Sequence, residues 1–174
     1  MRDMLIAAAV LGAACTRRTD DVAHPRPGTL AVEWSGKLRG SFTAPATARW
    51  CPADTLLEII AARADTAIGI SLLARDSVSA GVYLVNGIQT FTPGRPQASA
   101  ALRMLGDATL LGYEGMSGQI TVGEGGSRAV SGTIEVRFRP VSGMDTLQVK
   151  GSFDRIPVTQ AGGICGRANK PGGG

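Results

Sequence analysis

Fourteen carboxylates, one histidine and three cysteines are the side chains of this chain best equipped for acid–base, nucleophilic or metal chemistry. Nucleophilic hydrolysis needs a base beside the nucleophile, usually an imidazole. The only histidine, His24, lies in "TRRTDDVAHPRPG", a polar stretch with two prolines and no period, where a solvated role is expected. Cys15, Cys51 and Cys165 stand far apart with no histidine or second cysteine at metal-ligand spacing. No "GxSxG" elbow is present, and "GEGGS" at Gly123–Ser127 reads as a loop between strands, not a phosphate cradle opening a helix. Paired carboxylates could still work as acid and base on a glycoside, with Asp54, Glu58, Asp65, Asp107, Glu114 and Glu135 as candidates. Against this, Asp54, Asp65, Asp107 and Asp145 fall at turns, where Asp hydrogen-bonds locally, and Glu135 alternates with Arg137 as in a cross-strand charge pair. The expectation is therefore a chain that is not an enzyme and carries no metal or other cofactor.

Binding chemistry leaves three aromatic candidates for ligand contact, Trp34, Trp50 and Tyr113, with Trp50 also placed to pack on its neighbour Cys51. The net charge is +4, yet the arginines are scattered from Arg39 to Arg128 without a basic run or interleaved aromatics. Nucleic-acid binders concentrate charge along a phosphate track, so no nucleic-acid partner is expected.

The elements that must position these residues repeat with period two. In "SGTIEVRFRP", Ile134, Val136 and Phe138 share one face, and Thr133, Glu135, Arg137 and Arg139 the other. "DTLQVKGSFD" and "SGQITVGE" follow the same rule, as half-buried antiparallel strands do. "LLEIIAARADTAIG" reads as two strands turning at Ala64–Asp65, and "QASAALRMLGD" as a strand or the domain's one short helix. Asn86-Gly87 between apolar flanks predicts a two-residue hairpin turn. The phrase "LRGSF" at Leu38–Phe42 returns as "VKGSF" at Val149–Phe153, a weak echo consistent with two equivalent strands. About 9–10 strands with turn signals between them predict an all-β fold, a single antiparallel β-sandwich or β-barrel over residues 29–165.

The N-terminus supplies an address. "MRDMLIAAAVLGAA" has a charged start, an apolar core too short for the roughly 20 residues of a membrane span, and small residues before Cys15. This is the anatomy of a secretory signal; a signal cut elsewhere, or a small buried N-terminal helix, are the alternative readings. The hydrophobic stretch ending in small residues and cysteine resembles the lipobox of bacterial lipoproteins, with Gly12 where that family usually has leucine. The resemblance implies cleavage after residue 14, diacylation of Cys15, and anchoring in the cell envelope. Thr16 after the cysteine implies the outer membrane over the inner one. Residues 15–28 then form the lipidated cysteine and its tether, and residues 166–174 an unstructured tail.

With Cys15 acylated, Cys51 and Cys165 are left to pair. Such a bridge would close a loop of about 115 residues, worth about 4–5 kcal/mol in the chain-entropy model. The expected function is a non-enzymatic binding or scaffolding module of the envelope. Its partners would be the bilayer, through acylated Cys15, and an unknown envelope protein or small molecule. The alternatives are a β-barrel or sandwich carrying a small apolar ligand, a carboxylate-dependent hydrolase, and, for location, a soluble secreted or periplasmic protein.

Overall fold

The computed structural model of the chain describes residues 26–74, 76–87, 95–106, 109–124 and 128–161. Nine strands form one sheet that closes into a barrel: β1 (Thr29–Gly36), β2 (Gly40–Cys51), β3 (Leu56–Arg63), β4 (Thr66–Leu73), β5 (Gly81–Asn86), β6 (Gln97–Leu105), β7 (Leu110–Glu124), β8 (Ala129–Pro140) and β9 (Leu147–Gln160). No helix occurs among the described residues, and the alanine-rich segment 97–105 is the strand β6. Alanine favours helices, but here Ala98, Ala100 and Leu102 are buried in the interior while β4 and β7 satisfy the backbone on either side.

Alternation decides which way each side chain faces. On β2, Phe42, Ala44, Ala46 and Ala48 are buried, while Ser41, Thr43, Thr47 and Arg49 face outward. On β8 the inward set is Val130, Ile134, Val136 and Phe138, in agreement with the period read from the sequence. Small residues from β2, β3 and β6 lie inside together with the bulky Tyr83, Phe138 and Phe153 of β5, β8 and β9, and this mixture of sizes fills the barrel.

Two long strands each pair with β8 on one side and with two successive neighbours on the other. β7 pairs with β6 through Leu110–Glu114 and then with β5 through Ser117–Val122, with a bulge against β8 between Gly115 and Ser117. At Gly118, φ is +132° and a Cβ would lie 2.2 Å from the Glu135 carbonyl oxygen, so the strand passes there only as glycine. β9 pairs with β1 up to Asp154, passes through Arg155 at φ +43°, and then runs parallel to β2 along Val158–Gln160. That last contact adds to the closure and protects backbone that an open sheet would leave unpaired.

The sheet is antiparallel except for two short parallel contacts, β2–β9 and β5–β6. The second corrects the reading of Asn86-Gly87 as a hairpin turn. β5 ends at Asn86, but β6 starts only at Gln97 and runs parallel to β5, with Leu84 beside Gln97, so the two strands do not form a hairpin. The positive-φ tolerance of an Asn-Gly pair is a local preference, and the pairing partner was set by distant strands instead.

The "LRGSF" and "VKGSF" echo has a structural counterpart. β2 and β9 flank β1 on its two sides, and each places its glycine opposite a large inward residue of β1: Gly40 faces Trp34, and Gly151 faces Val32. A Cβ on Gly40 would lie 2.4 Å from the indole, and one on Gly151 would lie 2.6 Å from Val32 Cγ1. In both strands the serine after the glycine takes the outward parity and the next residue, Phe42 or Phe153, is buried.

Candidate functional site

Antiparallel strands sort their connections between the two ends of the barrel. At one end, which we call the entry end, the described chain comes in at Arg26–Gly28 and leaves at Ala161. The β2–β3, β4–β5 and β7–β8 connections lie there too. At the other, the tip end, lie the β1–β2, β3–β4, β6–β7 and β8–β9 connections.

The entry end is tied inward. The Ala161 N–H donates to the Trp50 carbonyl (2.8 Å), Val158 N–H to Arg128 (2.9 Å) and Ala74 N–H to Thr55 (3.0 Å). The buried Tyr83 hydroxyl accepts from the Ser79 N–H and donates to the Ser79 carbonyl, both at 3.2 Å, which ties the β4–β5 connection to the core. Cys51 is fully buried and disulfide-bonded. Cys165, Cys15, His24 and Asp107 lie outside the described residues.

The tip end is different. Its connections join one another in sequence: Lys37 Nζ binds Asp145 at 2.8 Å, Val141 N–H donates to Gly112, and Leu105 N–H donates to Asp65. Exposed apolar side chains stand near this end. Met144 is 94 % exposed, Val141 75 %, Leu110 59 %, Leu105 57 % and Leu38 37 %. Large apolar groups cost free energy in water, and single exposed ones are ordinary; here several stand near one end of the barrel. Among the described residues, the other exposed large apolar side chains away from this end are Ile60, Val82, Leu84 and Met116, all on strands in the barrel wall. The sequence reading did not single out the tip residues. Their signal was present in "KLRG" and "SGMD", where an apolar residue stands inside turn chemistry.

Charges at this end are partly spent on each other. The Lys37–Asp145 hydrogen bond, together with the attraction between the two charges, holds the Lys37 ammonium above its usual value, and Tyr113 adds in the same direction. Arg139 is paired with Glu114 at 2.5 Å. Arg39 and Arg103 have no carboxylate within ion-pair distance among the described residues, and Arg63 reaches only the Thr43 carbonyl, at 3.3 Å.

The aromatic candidates do not converge. Tyr113 is buried in the core. Trp34 packs at the tip end, its ring 6.4 Å from that of Phe42 and tilted by 58°. Trp50 packs on the core at the other end of β2, ten residues beyond Gly40, or about 33 Å along the strand. A polar trough of about 430 Å³ lies over β1, with Glu33, Arg39, Gln148 and Lys150 among the side chains at its sides. Its charges can ion-pair and its amide can hydrogen-bond, so it can hold a small polar ligand at the surface.

Glu58, Glu114 and Glu135, among the described residues, do not converge either. Glu58 is held by Arg49 at 2.6 Å and Glu114 by Arg139. The two acids are separated by three strand spacings, about 14 Å, too far for the 5–9.5 Å of a glycosidase pair. Glu135 lies between Gln119 and Lys150 on the neighbouring strands. No group of three His, Cys, Asp or Glu residues suited to a metal occurs among the described residues. No described helix is long and apolar enough to cross a membrane. Comparison with protein-family models, curated proteins and solved structures finds no match to this chain.

Proposed function

We propose that this chain is an envelope lipoprotein: a non-enzymatic binding or scaffolding barrel, tethered through acylated Cys15 and presenting its tip end. The observation that carries the reading is the polarity of the barrel. Both ends of the described chain lie at the entry end, while the exposed apolar side chains Leu38, Leu105, Leu110, Val141 and Met144 crown the other. A tether attached before Thr29 therefore leaves the crowned end free to meet a partner. A carrier function has less support, because Tyr83, Phe138, Phe153 and the aliphatic core occupy the interior where an apolar ligand would sit.

The same reading pairs Cys51 with Cys165. β9 delivers Ala161 to the Trp50 carbonyl, next to Cys51. Cys165 follows four residues later, within a reach of about 14 Å.

Membrane fractionation of cells producing the wild-type chain and Cys15→Ser tests the proposal. The wild-type protein is expected in the membrane fraction with fatty acid incorporated, and the variant unacylated and retained at its precursor mass. Normal maturation and anchoring of Cys15→Ser would overturn the reading.

A further inference from the structure

We propose that the tip end of the barrel seats on a lipid bilayer interface rich in anionic headgroups. This deepens the reading of the tip end as the presented surface, yet it does not depend on acylation of Cys15.

The apolar side chains stand on three separate connections: Leu38 on β1–β2, Leu105 and Leu110 on either side of β6–β7, Val141 and Met144 on β8–β9. A protein partner would need a matched pocket for each, whereas the acyl boundary of a bilayer accepts separated apolar tips wherever they fall.

Basic residues stand just behind them. Arg39 adjoins Leu38, Arg103 precedes Leu105 by two residues, and Arg139 precedes Val141 by two. At about 3.3 Å per residue Arg103 and Arg139 lie about 7 Å behind Leu105 and Val141, and Arg39 about 3 Å from Leu38. An interfacial apolar surface sits about 5–10 Å into the headgroup and acyl boundary, so these guanidiniums would fall at headgroup level. Of the basic side chains near this end, Lys37 and Arg139 already have carboxylate partners. Arg39, Arg63 and Arg103 have none within ion-pair distance among the described residues, which leaves them for anionic headgroups.

A tether at the entry end is compatible with this seating. The thirteen residues from Thr16 to Gly28 span at most about 45 Å when extended. The twelve residues of β2, tilted by about 40°, stand about 30 Å tall. A barrel anchored at Cys15 can therefore turn its tip end to the same bilayer.

Met144 and Ala53 are both exposed, at the tip and entry ends respectively, so each tolerates a reporter. The full-length chain is made as Met144→Trp and as Ala53→Trp, and each is mixed with phosphatidylglycerol vesicles brominated near the top of the acyl chain. Emission of Met144→Trp is expected to be quenched at least threefold more than that of Ala53→Trp. The difference is expected to shrink at least fivefold in phosphatidylcholine vesicles, or when Arg39→Gln and Arg103→Gln are added. Equal quenching at the two positions, or quenching indifferent to headgroup charge, overturns the proposal. Protection of position 144 by concentration-dependent self-association without vesicle quenching also overturns it, in favour of a second copy as the occupant. Fractionation of Cys15→Ser reports on the anchor separately, so failure at the tip and failure of the tether are distinguishable.

Discussion

The two ends of this barrel are built from the same strands and treat their connections in opposite ways. At the entry end, backbone and side chains fold back onto the core: Tyr83 reaches Ser79, Ala161 reaches Trp50, and Cys51 is buried in a disulfide. At the tip end the connections are linked to each other, but Met144, Val141, Leu110 and Leu105 are left in solvent. Side chains tied into the core contribute to stability, and side chains left in solvent contribute little to it. The contrast is one of stability: the side chains tied in at the entry end contribute to it, and the exposed apolar side chains of the tip end contribute little.

Substitutions can break that contrast. The largest effect is expected at the entry end, where Cys51→Ser should lower stability by about 2–5 kcal/mol, read as a shifted urea midpoint with little change in slope. A tip-end interior position comes next. In Gly40→Ala the new methyl would lie 2.4 Å from the Trp34 ring, and the displacement should cost about 1–3 kcal/mol and alter tryptophan emission. Val141→Ser and Met144→Ser should each change the unfolding free energy by no more than about 0.5 kcal/mol, since these side chains are already exposed. A large loss from either serine variant would mean that the tips belong to the core and not to an interaction surface.

The smallest effect is a pH dependence. Lys37 is held above its ordinary value by Asp145 in the folded chain, so the pair's contribution is complete at neutral pH and is lost as pH rises past about 10.5. Both partners are exposed, and the loss should appear as a loosening of the β1–β2 and β8–β9 connections in amide exchange, absent in Lys37→Ala.

Much of the wall of the barrel was legible in the residues. Ile134, Val136 and Phe138 alternate with charged neighbours because one face of β8 is buried and the other wet. The turn at Ala64–Asp65 was readable because two apolar runs are separated there by the polar residues Arg63, Asp65 and Thr66, with Ala64 at φ +50°. β6 was ambiguous, since Ala98, Ala100 and Ala101 carry neither a strong period nor a β-branched bias. The parallel placement of β5 beside β6 could not be read from Asn86-Gly87, because both strands pair with the long β7, and closure depends on β9 reaching β1 and β2, which are distant in sequence. Of the candidate ligand contacts, Tyr113 proves to be a core residue, and Trp34 and Trp50 stand near opposite ends of β2. Inward aromatics and surface aromatics look alike in sequence when strand parity near a barrel end is uncertain.

The most direct test of the account is a non-reduced peptide map of the mature protein by mass spectrometry. The account predicts an N-terminal peptide beginning at Cys15 and carrying its acyl groups, and a second species in which the peptides containing Cys51 and Cys165 are joined. A chain that begins elsewhere, or a bridge from Cys51 to Cys15, would contradict it.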